Sequence, residues 1–250
     1  MLKIFSKVAK AVGNSRIGYV SAVVLCAGNS TRFKNGSENK QMASVLGKPV
    51  IVRTLEAFED CEPIKEVVLV VGKSDIDKYR ELVIENGFKK VKSIVTGGNT
   101  RQGSAMRGFR HISEKARYVA IHDGARCLVT PSIIEKVLDD AVAYGVASAS
   151  CVVTDTVKKT DAKGFVSRTL NREKIRCVQT PQIFQKDIYT SCAYKAKEKG
   201  IVATDDCMLA EAFGFRVKLT DTGRENIKIT VSDDISLAEY ILHKRGEKEQ

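Results

Sequence analysis

The chain has 250 residues, 43% of them hydrophobic, enough to bury a full core and within the range of one large α/β domain. No stretch approaches the ~18 consecutive apolar residues of a membrane-spanning helix, so no membrane span is expected. The formal charge of +11 invites a nucleic-acid reading. However, the cations are scattered and do not interleave with aromatic residues as base-stacking surfaces do, so an anionic small molecule is the expected partner and nucleic acid is not.

Residues 1–18 form a basic N-terminal extension, with Lys3, Lys7, Lys10 and Arg16 and no acid. Leu2, Ile4, Phe5, Val8 and Val12 fall on one helical face, which fits either an amphipathic helix on an acidic surface or a solvated tail. Its apolar stretch is too short for a signal-peptide core. A single domain is expected over 19–243, followed by a C-terminal tail, 244–250.

Strand-like runs occur at 20–25, 66–71, 91–95, 117–121 and 146–153, and segments of helical period at 49–59, 75–86, 100–112 and 131–144. This alternation predicts a mostly parallel, doubly wound sheet flanked by helices. The punctuation agrees: Ser74 and Thr130 stand at N-cap positions, Pro49 and Pro131 at first helical positions, and Gly87 and Gly145 just past the ends. Beyond 152 the pattern changes. Residues 153–176 read as an inserted β-hairpin turning at Asp161 to Gly164, the kind of arm that packs on a partner chain. Helices are expected again at 186–198, 204–213 and 233–244, with strands at 215–220 and 227–231.

In such a sheet ligands bind beyond the carboxyl ends of the strands, which directs attention to three loops. "LCAGNSTRFKNGSENKQ", 25–41, ends neither in the GK[ST] of a P-loop nor in GxGxxG. It offers glycine, small polar residues and the cations Arg32 and Lys40, consistent with a phosphate cradle or with a plain strand-to-helix loop. "TGGNTRQGSAMRG", 96–108, puts paired glycines before a helix, where a flat base or a phosphate fits. "AIHDGAR", 120–126, sets Asp123 at a strand end, three residues before Arg126. That suits a magnesium ligand beside an oxyanion clamp, or an acid capping a turn. Thr180 is expected in a turn before Pro181, and Lys228 in a strand, facing either solvent or the cleft.

Seven cysteines, none closer than 15 residues to the next, exclude the CxxC spacings of zinc and redox sites. Their odd number, with no secretory signal, implies reduced thiols in a cytoplasm.

Taken in order, "LCAGNSTRF", "NKQ", "GGNTRQGS", "HDGAR", "DTVKK", "QTPQIF", "TDD" and "NIKIT" resemble the 2-C-methyl-D-erythritol 4-phosphate cytidylyltransferase family over about residues 19–243. The resemblance implies a Rossmann-like nucleotidyltransferase fold. It also implies CTP with magnesium, a polyol phosphate as second substrate, and a homodimer whose arms complete shared active sites.

By this resemblance Arg32, Lys40 and Lys228 are the catalytic cations. Ala27, Gly28, Gly98 and Ser104 hold CTP. Asp123, Arg126, Thr156, Arg172 and Thr180 recognise the second substrate, and Asp123 also binds the metal. The chain departs from the family pattern at Ser30, Asn39 and Cys127, and in a slightly longer loop at 34–39. The chemistry is self-consistent: the nucleophile is a phosphate whose second pKa is about 6, so it needs no general base, and only three histidines are present. Two rivals are a ribitol-5-phosphate cytidylyltransferase and, from another class, a basic module that binds nucleic acid or an anionic surface.

Overall fold

The computed structural model describes residues 17–28, 33 and 39–247. Along the chain the strands are β1 (Tyr19–Leu25), β2 (Ser44–Val45), β3 (Lys48–Pro49), β4 (Ile64–Val71), β5 (Val91–Thr96), β6 (Ala116–Asp123), β7 (Val146–Val152), β8 (Lys158–Thr160), β9 (Val166–Thr169), β10 (Arg176–Gln185) and β11 (Lys218–Asp221). The helices are α1 (Val50–Asp60), α2 (Ile76–Glu85), α3 (Arg101–Phe109), α4 (Pro131–Tyr144), α5 (Lys186–Glu198), α6 (Cys207–Ala212) and α7 (Asp233–Lys244).

Seven strands form one sheet in the order β11-β7-β10-β6-β1-β4-β5. All neighbours run parallel except β10, which is antiparallel to both β6 and β7. The central strand β1 explains the layering. Its side chains alternate faces, and both faces are apolar. Val20, Ala22 and Val24 join a cluster with residues of α1, α2 and α4. Val23 and Leu25 join another with residues of α3, α5 and α6. A third cluster packs α7 against Phe33, Val45, Leu46 and Ile229.

Most of the predicted elements hold, with shifted boundaries. Thr130 accepts a hydrogen bond from Ile133 N, Pro131 opens α4, and Gly145 closes it at φ +84°. Pro49 is not the first helical residue; it ends β3 and precedes α1. Ser74 lies inside a 3-10 turn, Lys73–Asp75, and caps nothing.

Two expectations are overturned. Thr180 is not in a turn. It sits inside β10, where the register against β7 shifts between Val178 and Gln182 and the Thr180–Pro181 peptide is cis. Proline is tolerated in a strand at such an irregularity, and together with Gln179, Thr180 and Gln182 it hides the strand from a hydropathy pattern. Residues 227–230 have no regular secondary structure and Val231 lies in a bend, so the segment is no strand. Ile229 is buried under α7 and its N–H donates to Ala125 O, so the alternation reflects one apolar contact with a loop.

Candidate active site

After β1 and β4 the chain reaches β5 at one edge of the sheet, then returns to lay β6 on the other side of β1. The crevice at this reversal is where an open α/β sheet binds ligands. It holds a cleft of about 650 Å³. Ala27 and Gly28 line it after β1, Gly98 and Thr100 after β5, Ser104 from α3 and Asp123 from the end of β6.

The glycine loop after β5 is wound tightly onto α3. Gly98 N donates to Ser104 Oγ at 3.0 Å, and Ser104 Oγ donates to Thr100 O at 2.9 Å. Thr100 Oγ1 accepts from Gly103 N at 2.9 Å and caps the helix. A Cβ at Gly97 would lie 2.2 Å from Ala27 Cβ, and one at Gly98 2.9 Å from the Gly103 carbonyl carbon. Only glycine lets the loops after β1 and β5 approach this closely.

Charge is concentrated on the floor. Lys40, Arg101 and Lys228 line the cleft, and Asp123 is the one acid among the described lining residues. Arg101 Nε donates to Asp123 Oδ1 at 3.1 Å, and Lys228 Nζ to Oδ2 at 2.7 Å. Behind them Arg101 Nη1 donates to Asp206 Oδ2 at 2.6 Å, and Tyr189 donates to Asp206 Oδ1 at 3.1 Å. Burial pushes the Asp123 carboxyl up, but Arg101 and Lys228 override it and hold Asp123 well below the usual carboxylate range. Burial raises Asp206 in spite of Arg101. The three cations outnumber the lining acid, so the cleft favours anions.

His122 lies beneath this floor, wholly buried, with Nδ1 3.1 Å from Thr180 Oγ1 and Nε2 3.4 Å from Arg126 O. Burial pushes its pKa down to about 3. In the unfolded chain it is protonated below about pH 6.5, so its buried neutral form contributes stability that is full above that pH and lost as pH falls toward 3. The loss from this residue is on the order of 5 kcal/mol, measurable by urea unfolding across that range. NMR should show the His122 ring still neutral at pH 5; an imidazolium signal there would refute the assignment.

Of the residues predicted from sequence, the fold brings Ala27, Gly28, Lys40, Gly98, Ser104, Asp123 and Lys228 to the cleft. Arg32 lies outside the described residues. Thr180 stands just behind the cleft wall, its Oγ1 accepting from Asp123 N at 3.0 Å. Arg126 is also set back: Nη1 donates to Asn226 O at 2.7 Å, and Asn226 Nδ2 donates to Thr180 O at 2.8 Å. Thr156 and Arg172 do not line the cleft of their own chain. Both are exposed, and Arg172 Nη1 donates to Thr154 O. The sequence reading missed Arg101 and Asp206, although "GGNTR" and "TDD" contain them.

Comparison with known proteins identifies the family. The IspD family model, 2-C-methyl-D-erythritol 4-phosphate cytidylyltransferase, matches residues 20–244. The chain belongs to this family. The cytidylyltransferase of Caldanaerobacter subterraneus subsp. tengcongensis is 40% identical over 226 residues, covering 90% of this chain and 99% of that protein. That of Pelotomaculum thermopropionicum is 41% identical over 228 residues, covering 90% and 95%. Among solved structures, the 4-diphosphocytidyl-2C-methyl-D-erythritol synthase of Anaerococcus prevotii superposes with a TM-score of 0.81 at 27% identity, over 92% of this chain and 99% of that one. The Thermus thermophilus cytidylyltransferase gives 0.72 at 29% identity, over 90% and 99%. The cytidylyltransferase fold therefore spans the whole sheet described above, and the match begins and ends with β1 and α7.

Proposed function

We propose that the cleft at Asp123 transfers the cytidylyl group of CTP to 2-C-methyl-D-erythritol 4-phosphate, giving 4-diphosphocytidyl-2-C-methyl-D-erythritol and pyrophosphate for isoprenoid synthesis. The observation that carries this reading is the pairing of Arg101 and Lys228 with a single acid, Asp123, beside Lys40 in the cleft at the reversal of the sheet, in a chain of this family. A phosphate oxygen of the polyol attacks the α-phosphorus, a new P–O bond forms, and the bond to the β-phosphate oxygen breaks. The nucleophile is ionised near neutral pH, so what catalysis requires is cationic positioning of two anions.

Each residue then has a task. Lys228 spends one of its three donors on Asp123 and keeps two for phosphoryl oxygens. Lys40, with Arg32, holds the triphosphate. The Gly98–Ser104 turn and the Ala27–Gly28 backbone hold the nucleoside. The donor set suits magnesium: one carboxylate, Asp123, whose oxygens each keep a lone pair beside their cation, with substrate phosphates as the remaining ligands. When bound, the metal neutralises charge on the triphosphate. Among the described residues no group of three or more His, Cys, Asp or Glu side chains could hold a metal on its own.

The second substrate is recognised by Asp123, Arg126 and Thr180 together with Thr156 and Arg172 of the arm. The arm strands β8 and β9 are exposed along their whole length, and Phe165 and Val166 at the hairpin are 70% and 59% exposed. Such apolar exposure on a hairpin fits an arm that crosses to a second copy of the chain. No helix among the described residues is long and apolar enough to cross a membrane.

Pyrophosphate release measured with CTP and each polyol phosphate tests the reaction. Release with methylerythritol phosphate well above that with ribitol 5-phosphate is expected; the opposite preference would overturn the substrate assignment. Shared sites make a separate prediction. Mixing inactive Arg172→Ala and Lys40→Ala proteins should restore up to about a quarter of the sites, because one site in each mixed dimer then takes both wild-type residues. Mixed dimers without activity would show that each site is built within one chain.

A further inference from the structure

Five of the seven cysteines are buried: Cys26, Cys61, Cys127, Cys192 and Cys207. The other two, Cys151 and Cys177, are accessible, and the sheet sets them face to face. We propose that Cys151 and Cys177 form a dithiol modification site, which a low-molecular-weight disulfide oxidises to an intramolecular cystine at the root of the arm.

The geometry rests on strand register. Cys177 of β10 is the direct partner of Cys151 of β7 in an antiparallel ladder. Facing residues in such a ladder have Cα atoms about 4.5–5.5 Å apart, inside the range of about 4.4–6.8 Å that a disulfide spans. Their side chains leave the sheet on the same face. The register is pinned on both sides, by Arg176 against Val152 and by Val178 against Ser150, so the two cysteines cannot slide apart without breaking the ladder. No backbone movement is needed to join them.

Access fixes the order of events. Cys177 is exposed and Cys151 is partly covered, so Cys177 meets the reagent first. Its thiolate attacks one sulfur of the disulfide RSSR, forming a mixed disulfide and releasing one RSH. The Cys151 thiolate then attacks the Cys177 sulfur and expels the second RSH. The two cysteines lose two hydrogens and two electrons, and RSSR gains them. Burial raises the Cys151 thiol and lowers its thiolate fraction, so its attack relies on its proximity to Cys177.

The link closes residues 152–176 into a loop, which contains both arm strands with Thr156 and Arg172. Reduced, the two ends of the arm are paired across the ladder between β7 and β10. Oxidised, its two ends are covalently joined.

The test treats the full chain with oxidised glutathione at neutral pH and maps the products by mass spectrometry without reduction. The expected product is a Cys151–Cys177 linked peptide, in a protein lighter by two hydrogens and carrying no glutathione. In the Cys151→Ser variant the second step is lost, and glutathione should stay on Cys177. Glutathione retained on the wild-type Cys177, a link between the Cys177 residues of two chains, or a cystine that uses any other cysteine would overturn the proposal. The readout is mass alone, so it stands apart from whether the cleft transfers cytidylyl groups.

Discussion

Lys228→Ala is expected to lower kcat about a thousandfold, the loss that follows removal of one charged donor aimed at a transition-state oxyanion. The fold should survive. The Lys228 side chain is 34% exposed, so its ion pair adds little stability, and Asp123 keeps Arg101 after the change. The circular dichroism spectrum and Tm should therefore stay close to wild type while pyrophosphate release collapses. Lys228→Arg should not be silent either, because a planar fork does not replace a point charge placed 2.7 Å from Asp123. Turnover by Lys228→Ala within tenfold of wild type, in well-folded protein, would remove Lys228 from the mechanism.

The second large effect belongs to Arg101. It is the link between Asp123 in the cleft and Asp206 behind it, which is 1% exposed. Arg101→Met keeps much of the volume and removes the charge, leaving Asp206 with only the Tyr189 hydroxyl on its carboxylate side chain. Breaking a buried pair from one side costs about 3–5 kcal/mol, because the remaining charge is left uncompensated. Asp206→Asn in the same chain should recover much of that loss.

The pH dependence carries the sign. Burial already raises Asp206, and without Arg101 its folded pKa rises further above the unfolded value. The folded state then binds the proton more tightly, so the stability of the variant relative to wild type is lost as pH rises through that folded pKa. Urea unfolding at pH 7 and pH 5 should show a smaller deficit at pH 5. An equal deficit at both would mean that Asp206 is not the stranded charge. Activity should fall as well, since Asp123 loses one of the two cations that orient it.

The alternation of strands and helices was legible because β1, β4, β6 and β7 are buried on one or both faces, β5 is half-buried, and all carry that burial in their composition. The position of Asp123 at a strand end was legible for the same reason. β10 was not, because Pro181 and three polar residues interrupt its pattern while tertiary partners satisfy them: Gln182 Nε2 donates to Asp205, and Thr180 Oγ1 accepts from Asp123 N. Arg101 and Asp206 are separated by more than a hundred residues, and Cys151 and Cys177 by an entire hairpin. Each pair meets only once the sheet order is known, and no local spacing encodes that order. Arg126 illustrates the converse: its proximity to Asp123 in sequence suggested a clamp on substrate, whereas its guanidinium also fastens the segment that carries Lys228.

β10 leads two lives along its length. Its first residues pair with β7 alone and emerge directly from the arm, while Gln182 to Phe184 are locked between β6 and β7. Between these halves, Thr180 grips the amide of Asp123. In the proposed dimer the strand would join the core at one end to an arm that crosses to a second copy at the other. A partner chain seated on the hairpin would thus be linked through one strand to the backbone of Asp123, and the proposed assembly and the proposed turnover would share that element.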